Sequence, residues 1–180
     1  MPTFTTVPNK DAGDVFTETM WDTYLRDNLN GLMVPPMCRV YANASQTIGN
    51  GADTAVTWDQ EHLDTDSMHS TSVNTSRITI NTAGVYLVTA AVAWDINGTG
   101  YRYLNIRHNG SQKIGMTDAP AAAGDYILQT ASAIYSFSVG EYVEAVVYQN
   151  SGGNVNLLQN TALGVNAGPH LSAAWLGKVS

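Results

Sequence analysis

The sequence is poor in the features that most activities require. It has one cysteine, Cys38, so no disulfide can close within the chain. Cys38 follows the Pro35-Pro36 stretch with no histidine nearby, and it reads as a buried, inert thiol. Charge is scarce: Asp, Glu, Lys and Arg make up 13% of the residues, about half the usual share. Only 8 residues are Lys or Arg against 15 acidic ones, a net charge of −7. Clustered basic residues hold phosphate backbones and anionic membrane surfaces, so neither nucleic acid nor membrane is an expected partner. No stretch approaches the ~18 apolar residues of a transmembrane helix. The opening "MPTFTTVPNK" lacks the basic and then apolar run of a signal peptide. A soluble protein made in a cytoplasm is the expectation.

Catalytic patterns are also missing. No Gly-x-Ser-x-Gly, P-loop or His-Glu-x-x-His occurs, and His62, His69, His108 and His170 are scattered. Glycan cleavage needs paired carboxylates facing a cleft. Asp95 and Glu144 are the strand carboxylates of interest, and each reads as a solvated residue. The densest acidic stretch, "DQEHLDTDSMHS" (59–70), offers oxygen ligands that suit calcium. Its spacing lacks EF-hand order, so a polar loop is the simpler reading. No cofactor is expected, with calcium left open.

What remains is a chain that is 44% hydrophobic and rich in Asn, Thr, Ser and Gly, divided in two at about residue 36. Residues 1–16 read as an extended arm, because Pro2 and Pro8 discourage helix. In "TETMWDTYLRDNLNGL" (17–32), Trp21, Tyr24 or Leu25, Leu29 and Leu32 recur at helical spacing. Thr17 is the expected N-cap and Gly31 the expected stop. A helix of about four turns is marginal alone in water, so its stripe needs a partner surface.

From Met37 onward the chain alternates short apolar runs with Gly, Asn and Ser turns. Strands at such spacing, with no helix between them, predict an all-β antiparallel sandwich. In "RITINTAGVYLVTAAVAW" (77–94), Gly84 is expected to free the backbone for a corner, with Tyr86 near the sandwich edge. Gly140 turns the chain before "YVEAVVYQN" (142–150). The strand after Gly84 is apolar on both faces. In 142–150, Val143, Ala145 and Val147 suit the core, while Tyr142, Val146 and Tyr148 share the opposite face with Glu144. A second apolar face calls for a cover outside the sandwich.

"VTWD" (56–59), "RITINTAGVYLV" (77–88), "LNIRHNG" (104–110), "FSVGEYVEAVVY" (137–148) and "HLSAAWL" (170–176) stand in one order. Together they resemble the jelly-roll domain of complement-type and tumour-necrosis-factor-type ligands. Trp58-Asp59 stands where that family has Phe-Asp, and Gly140-Glu141 where it has Gly-Asp. The resemblance covers roughly residues 38–180. It implies a jelly-roll β-sandwich, some of whose relatives bind calcium, and three copies packed around a threefold axis. Tyr142, Glu144, Val146 and Tyr148 are then the expected trimer-interface residues. "DVFTETMWDTYLRDNLNGL" (14–32) resembles the opening of tailed-bacteriophage structural proteins, where such a helix precedes a jelly roll. That resemblance implies a virion protein, a homotrimeric capsid decoration or head spike. Arm and helix would grip the major capsid protein or another virion protein through Trp21, Tyr24, Leu25, Leu29 and Leu32. The alternative is a tail-tip or fibre protein binding a host surface glycan through Trp94, Asn97, Tyr101 and Tyr103.

Overall fold

The computed structural model describes residues 5–9, 11–159 and 168–178. The rest of the expected arm and residues 160–167 lie outside the described residues. A helical segment comes first, then twelve strands: β1 Met37–Tyr41, β2 Gln46–Ile48, β3 Thr54–Ala55, β4 Gln60–Asp64, β5 Arg77–Thr79, β6 Gly84–Trp94, β7 Tyr101–His108, β8 Gln112–Pro120, β9 Ile127–Phe137, β10 Tyr142–Gln149, β11 Val155–Leu157 and β12 His170–Gly177.

The helix starts where Thr17 Oγ1 accepts a hydrogen bond from the Met20 amide at 3.3 Å. It runs through α-helical Glu18–Met20, π-helical Trp21–Arg26 and α-helical Asp27–Met33. Gly31 does not stop it, contrary to expectation. The helix continues to Met33, and Val34 leaves helical geometry at φ −130°, ψ 73°. Pro35 is the reason, since a proline ring crowds the residue before it out of the helical region.

The strands form two antiparallel sheets. One has the order β2-β11-β6-β12-β1-β4, with β9 on the other side of β6; the second has the order β3-β10-β7-β8, with β5 also on β10. The jelly-roll sandwich read from the sequence is the observed fold. β6 is the axis of the first sheet. Its eleven residues pair with β9 along their whole length, from Gly84↔Phe137 to Trp94↔Ile127. Its other side takes β12 from Val85 to Ala91. The two-residue period puts Tyr86, Val88, Ala90, Val92 and Trp94 of β6 into the core. Leu104 and Ile106 of β7 and Val143, Ala145 and Val147 of β10 meet them from the second sheet. Trp58 and Trp94 are fully buried.

Gly84 at the corner before β6 holds a φ of 157°, which residues with a side chain rarely adopt. A Cβ there would also fall on the Trp175 indole nitrogen and 2.5 Å from the Gly177 carbonyl oxygen. The glycine therefore serves the close approach of β12 as well as backbone freedom. Tyr86 is wholly buried, not near an edge, and its hydroxyl closes the corner by donating to the Thr82 carbonyl at 2.6 Å. Gly140 is the converse case, with φ 88° and open space around a Cβ.

These two glycines should respond differently to substitution. Gly84→Ala should cost on the order of 2 kcal/mol or more through overpacking. Gly140→Ala should cost about 1 kcal/mol through its left-handed backbone. Asn should recover part of the loss at 140 and none at 84. Urea melts of the four variants measure this; equal behaviour of Asn and Ala at both positions would refute the distinction.

Candidate interaction surfaces

The helical segment is the first surface. Trp21, Leu25, Leu29 and Leu32 form its stripe, and all are exposed, from 36% at Leu25 to 61% at Leu32. Tyr24 is half-buried. Phe16 extends the stripe, its ring lying edge-on to Trp21 at 6.3 Å. Among the described residues, no strand packs along the helix. In the π-helical stretch the Asp27 amide reaches back to the Asp22 carbonyl. The Asn28 side chain donates to the Tyr24 carbonyl at 3.0 Å and to the Thr5 carbonyl at 2.9 Å, while the Thr5 amide donates back to Asn28 Oδ1 at 2.8 Å. The arm is thus strapped to the helix at one asparagine.

The Pro35-Pro36 link is no loose tether. Thr65 Oγ1 donates to the Pro35 carbonyl at 2.7 Å and accepts from the Met37 amide at 2.8 Å. The Trp175 amide donates to the Pro36 carbonyl at 2.9 Å. These bonds hold the exit of the helix against β12 and the loop after β4.

The outer face of β10 is the second surface, and here the expected uncovered apolar face must be corrected. Glu144 and Val146 are buried within the single chain, and Tyr142 and Tyr148 are half-buried. The covers are the chain's own. Asp53 precedes β3, on the opposite side of β10 from β7. Its carboxylate nevertheless accepts from Tyr103 Oη at 2.7 Å and from Arg107 Nη2, both on β7. The long Tyr103 and Arg107 side chains therefore reach across β10 to Asp53. Tyr103 stacks on Tyr148 at 4.7 Å with 6° between the rings. Glu144 accepts from Ser76 Oγ at 2.7 Å and Arg77 Nε at 3.2 Å, and the Arg77 guanidinium lies 4.0 Å over the Tyr142 ring. Alternation along β10 was legible in the sequence. Nothing in it signalled that Asp53, Arg107 and Arg77 would arrive over that face from other segments.

The outer face of β6 and β9 is the third surface, and it stays apolar. Leu87 and Ile134 are register partners. Ile134 is 67% exposed, Leu128 64% and Leu87 38%. The other outward positions are Val85, Thr89, Ala91 and Ala93 on β6 and Thr130, Ser132 and Ser136 on β9, so these two strands carry no charge there. His170 of β12 borders the face opposite Ala91, with its pKa pushed down by burial. The alternation of "ILQTASAIYSF" gives a signal for this face, in Leu128 and Ile134.

The aromatic residues considered for glycan recognition do not share a surface. Trp94 is buried, with Nε1 donating to Gln129 Oε1 at 2.8 Å. Tyr103 is engaged by Asp53, and Asn97 Oδ1 accepts from the buried Arg102 at 2.9 Å. Tyr101 alone among them is a substantially exposed ring. The acidic stretch at 59–70 is divided by backbone contacts. Asp59 accepts from the Asn43 amide, Asp64 accepts from the Asp66 and His69 amides, and Glu61 pairs with the His69 ring. Asp95, expected on a strand, lies just past the end of β6 and accepts from the Ile96 amide. Among the described residues, no three His, Cys, Asp or Glu side chains converge to hold a metal ion. Burial raises the Cys38 thiol pKa far above its usual range, which leaves it unreactive.

The bonds to Asp53 make stability depend on pH. The Arg107 and then the Tyr103 hydrogen bonds hold the Asp53 pKa below its usual value. A depressed folded-state pKa contributes stability above the unfolded value of about 3.9, and this is lost as pH falls through the folded value. Asp53→Asn should therefore be less stable than the parent at pH 7. The gap between the two should close in acid, below about pH 3.9. Urea melts at both ends of the range test this; an equal gap at both would refute it.

No family model and no curated protein sequence matches the chain. Solved structures do. The globular domain of zebrafish complement 1qA protein aligns with a TM-score of 0.55 at 12% identity, covering 80% of this chain and 99% of that one. Murine APRIL at pH 5.0 gives 0.57 at 13% identity, covering 78% and 98%. Eiger TNF from S. frugiperda gives 0.58 at 10% identity, covering 81% and 94%. At such identities the likeness is one of fold, and the fold that it shows is the complement and tumour-necrosis-factor jelly roll.

Proposed function

We propose that this is a non-enzymatic structural protein of a tailed-phage particle, a homotrimeric capsid decoration or head spike. In this reading it is made in the host bacterial cytoplasm and carried on the capsid surface. The observation that carries the reading is the exposed stripe of Trp21, Leu25, Leu29 and Leu32 on a helix that, among the described residues, no strand covers. The sandwich has closed its own core and does not need that helix for it. An amphipathic helix with an apolar face to bury fits a groove on another protein. The partner is the major capsid protein or a neighbouring virion protein. The bonds at Pro35 and Pro36 would pass a load on the helix directly into β12 and the loop after β4.

Self-association is placed on the outer face of β6 and β9. Leu87, Leu128 and Ile134 are exposed there on strands with no charged outward residue. The occupants are two further copies of the chain. Uncharged strands of small and branched residues let identical surfaces meet with no like-charge penalty. Tyr142, Glu144, Val146 and Tyr148 hold the sandwich's other outer face closed within one chain. Neither partner nor assembly calls for a reacting group, and none is assigned.

Removing residues 1–33 should leave a folded trimer that no longer joins capsids assembled without the protein. Ile134→Asp should give monomers of unchanged secondary structure. Analytical ultracentrifugation and particle co-sedimentation read both effects. A truncated protein that still loads particles to full occupancy would sink the anchoring role. A parent protein that sediments as a monomer at micromolar concentration would sink the trimer.

A further inference from the structure

A polar cleft of about 270 Å³ lies between β5 and the loop at 65–76. It is separate from the helix, from the β6–β9 face and from the bonds to Asp53. Its loop wall is firmly built. Asp64 accepts from the Asp66 amide at 3.1 Å and the His69 amide at 2.9 Å. The buried His69 ring lies between Glu61 Oε1 at 3.0 Å and the Thr75 carbonyl at 3.2 Å. Asn81 Nδ2 donates to the Asp66 and Ser67 carbonyls at 2.9 and 2.8 Å, and the Thr79 amide donates to the Met68 carbonyl at 2.7 Å. Ser67 and Asn74 both hold positive φ of 52°. A loop tied at so many points presents a preformed wall, and preformed walls lower the ordering cost of binding.

The chemistry on these walls is unspent. Arg77 uses Nε on Glu144 and its ring-facing side on Tyr142, which fixes the guanidinium plane. Its two Nη groups have no protein acceptor among the described residues. The Asn74 amide and the Thr79 hydroxyl likewise have no side-chain partner among the described residues, and all three residues line the cleft. Ser70 Oγ accepts from the Val73 amide at 3.2 Å and lies 3.3 Å from Ser72 Oγ. The exposed Val73 adds apolar surface. A fixed guanidinium end suits a planar carboxylate. Hydroxyl and amide groups suit sugar hydroxyls, and apolar side chains suit the C–H face of a pyranose. The volume lies just under the ~300 Å³ at which drug-sized pockets begin, so a single ring is the right size.

We propose that this cleft binds an acidic monosaccharide, a pyranose carrying a carboxylate, of the uronic or sialic acid class. The carboxylate sits on Arg77 Nη1 and Nη2, and the ring hydroxyls meet Asn74, Thr79 and Ser70. The site goes beyond the structural role proposed above. Sugar binding at this cleft does not depend on the trimer or on the anchor; on a particle it would hold acidic surface polysaccharide.

The test is a titration of the full chain, followed by NMR chemical shifts and calorimetry, with glucuronic acid and with N-acetylneuraminic acid. Glucose, acetate and inorganic phosphate are the comparison ligands. At least one acidic sugar should saturate with shifts confined to 65–81, and glucose should bind roughly tenfold more weakly or less, the loss of one charge-assisted contact. Arg77→Lys keeps the charge but not the fork, and should weaken binding by about tenfold. Thr79→Val leaves the Glu144 contacts untouched and should weaken it a few-fold, so a folding defect at Arg77 does not blind the experiment. The proposal is overturned if neither acidic sugar saturates at millimolar concentration, or if glucose binds equally well. It is also overturned if both variants bind like the parent. Acetate or phosphate binding as tightly as the sugars would overturn the saccharide assignment.

Discussion

A two-layer sandwich can cover only the two faces that meet. Its two outer faces have no layer of their own, and everything distinctive about this molecule follows from how they are treated. The inner faces are an ordinary core, with Tyr86, Val88 and Trp94 of β6 against Leu104, Ile106 and Val147 of the other sheet. The outer face over β10 is sealed by side chains brought from three other segments. Tyr103 and Arg107 reach across to Asp53, Arg77 lies on Tyr142 and Glu144, and Tyr103 stacks on Tyr148. On the outer face over β6 and β9, Leu128 and Ile134 stay largely exposed.

The same asymmetry holds between the body and its front piece. The sandwich closes without the helix, and the helix keeps Trp21, Leu25, Leu29 and Leu32 exposed. A short helix with an uncovered apolar stripe has little stability of its own. What holds it in place is polar: the Thr65 and Trp175 bonds around Pro35 and Pro36. The attachment is stiff where the chain leaves the helix, as a part that transmits force would need to be.

Much of the candidate surface was legible in the residues, and the reasons differ by site. The helical stripe was readable because 3.6-residue periodicity is a local property. The exposed side of β9 was readable in the same way, from the alternation of Leu128, Thr130, Ser132 and Ile134. The cover over β10 was not. Val146 has the same neighbours in the sequence whether or not Tyr103 and Arg107 reach over β10 to Asp53, and Asp53 sits in a turn more than ninety residues away. The cleft beside Arg77 was also hidden, since "DSMHSTSVNTS" (66–76) reads as polar loop, and only its bonds to Asp64, Glu61 and Asn81 make it a wall.

By itself the sequence determined the class of fold, the order of the strands, the division near residue 36, and which residues of each strand share a face. These follow from the period of the backbone and from turn chemistry, which act over a few residues. Only the tertiary structure decided which of the shared faces would be left uncovered. It also decided that Gly84 serves a close approach by β12, and that Pro35, not Gly31, ends the helix. Burial is a property of what arrives from elsewhere in the chain. A side chain with the right period for the surface becomes interior as soon as a distant carboxylate or guanidinium is folded over it.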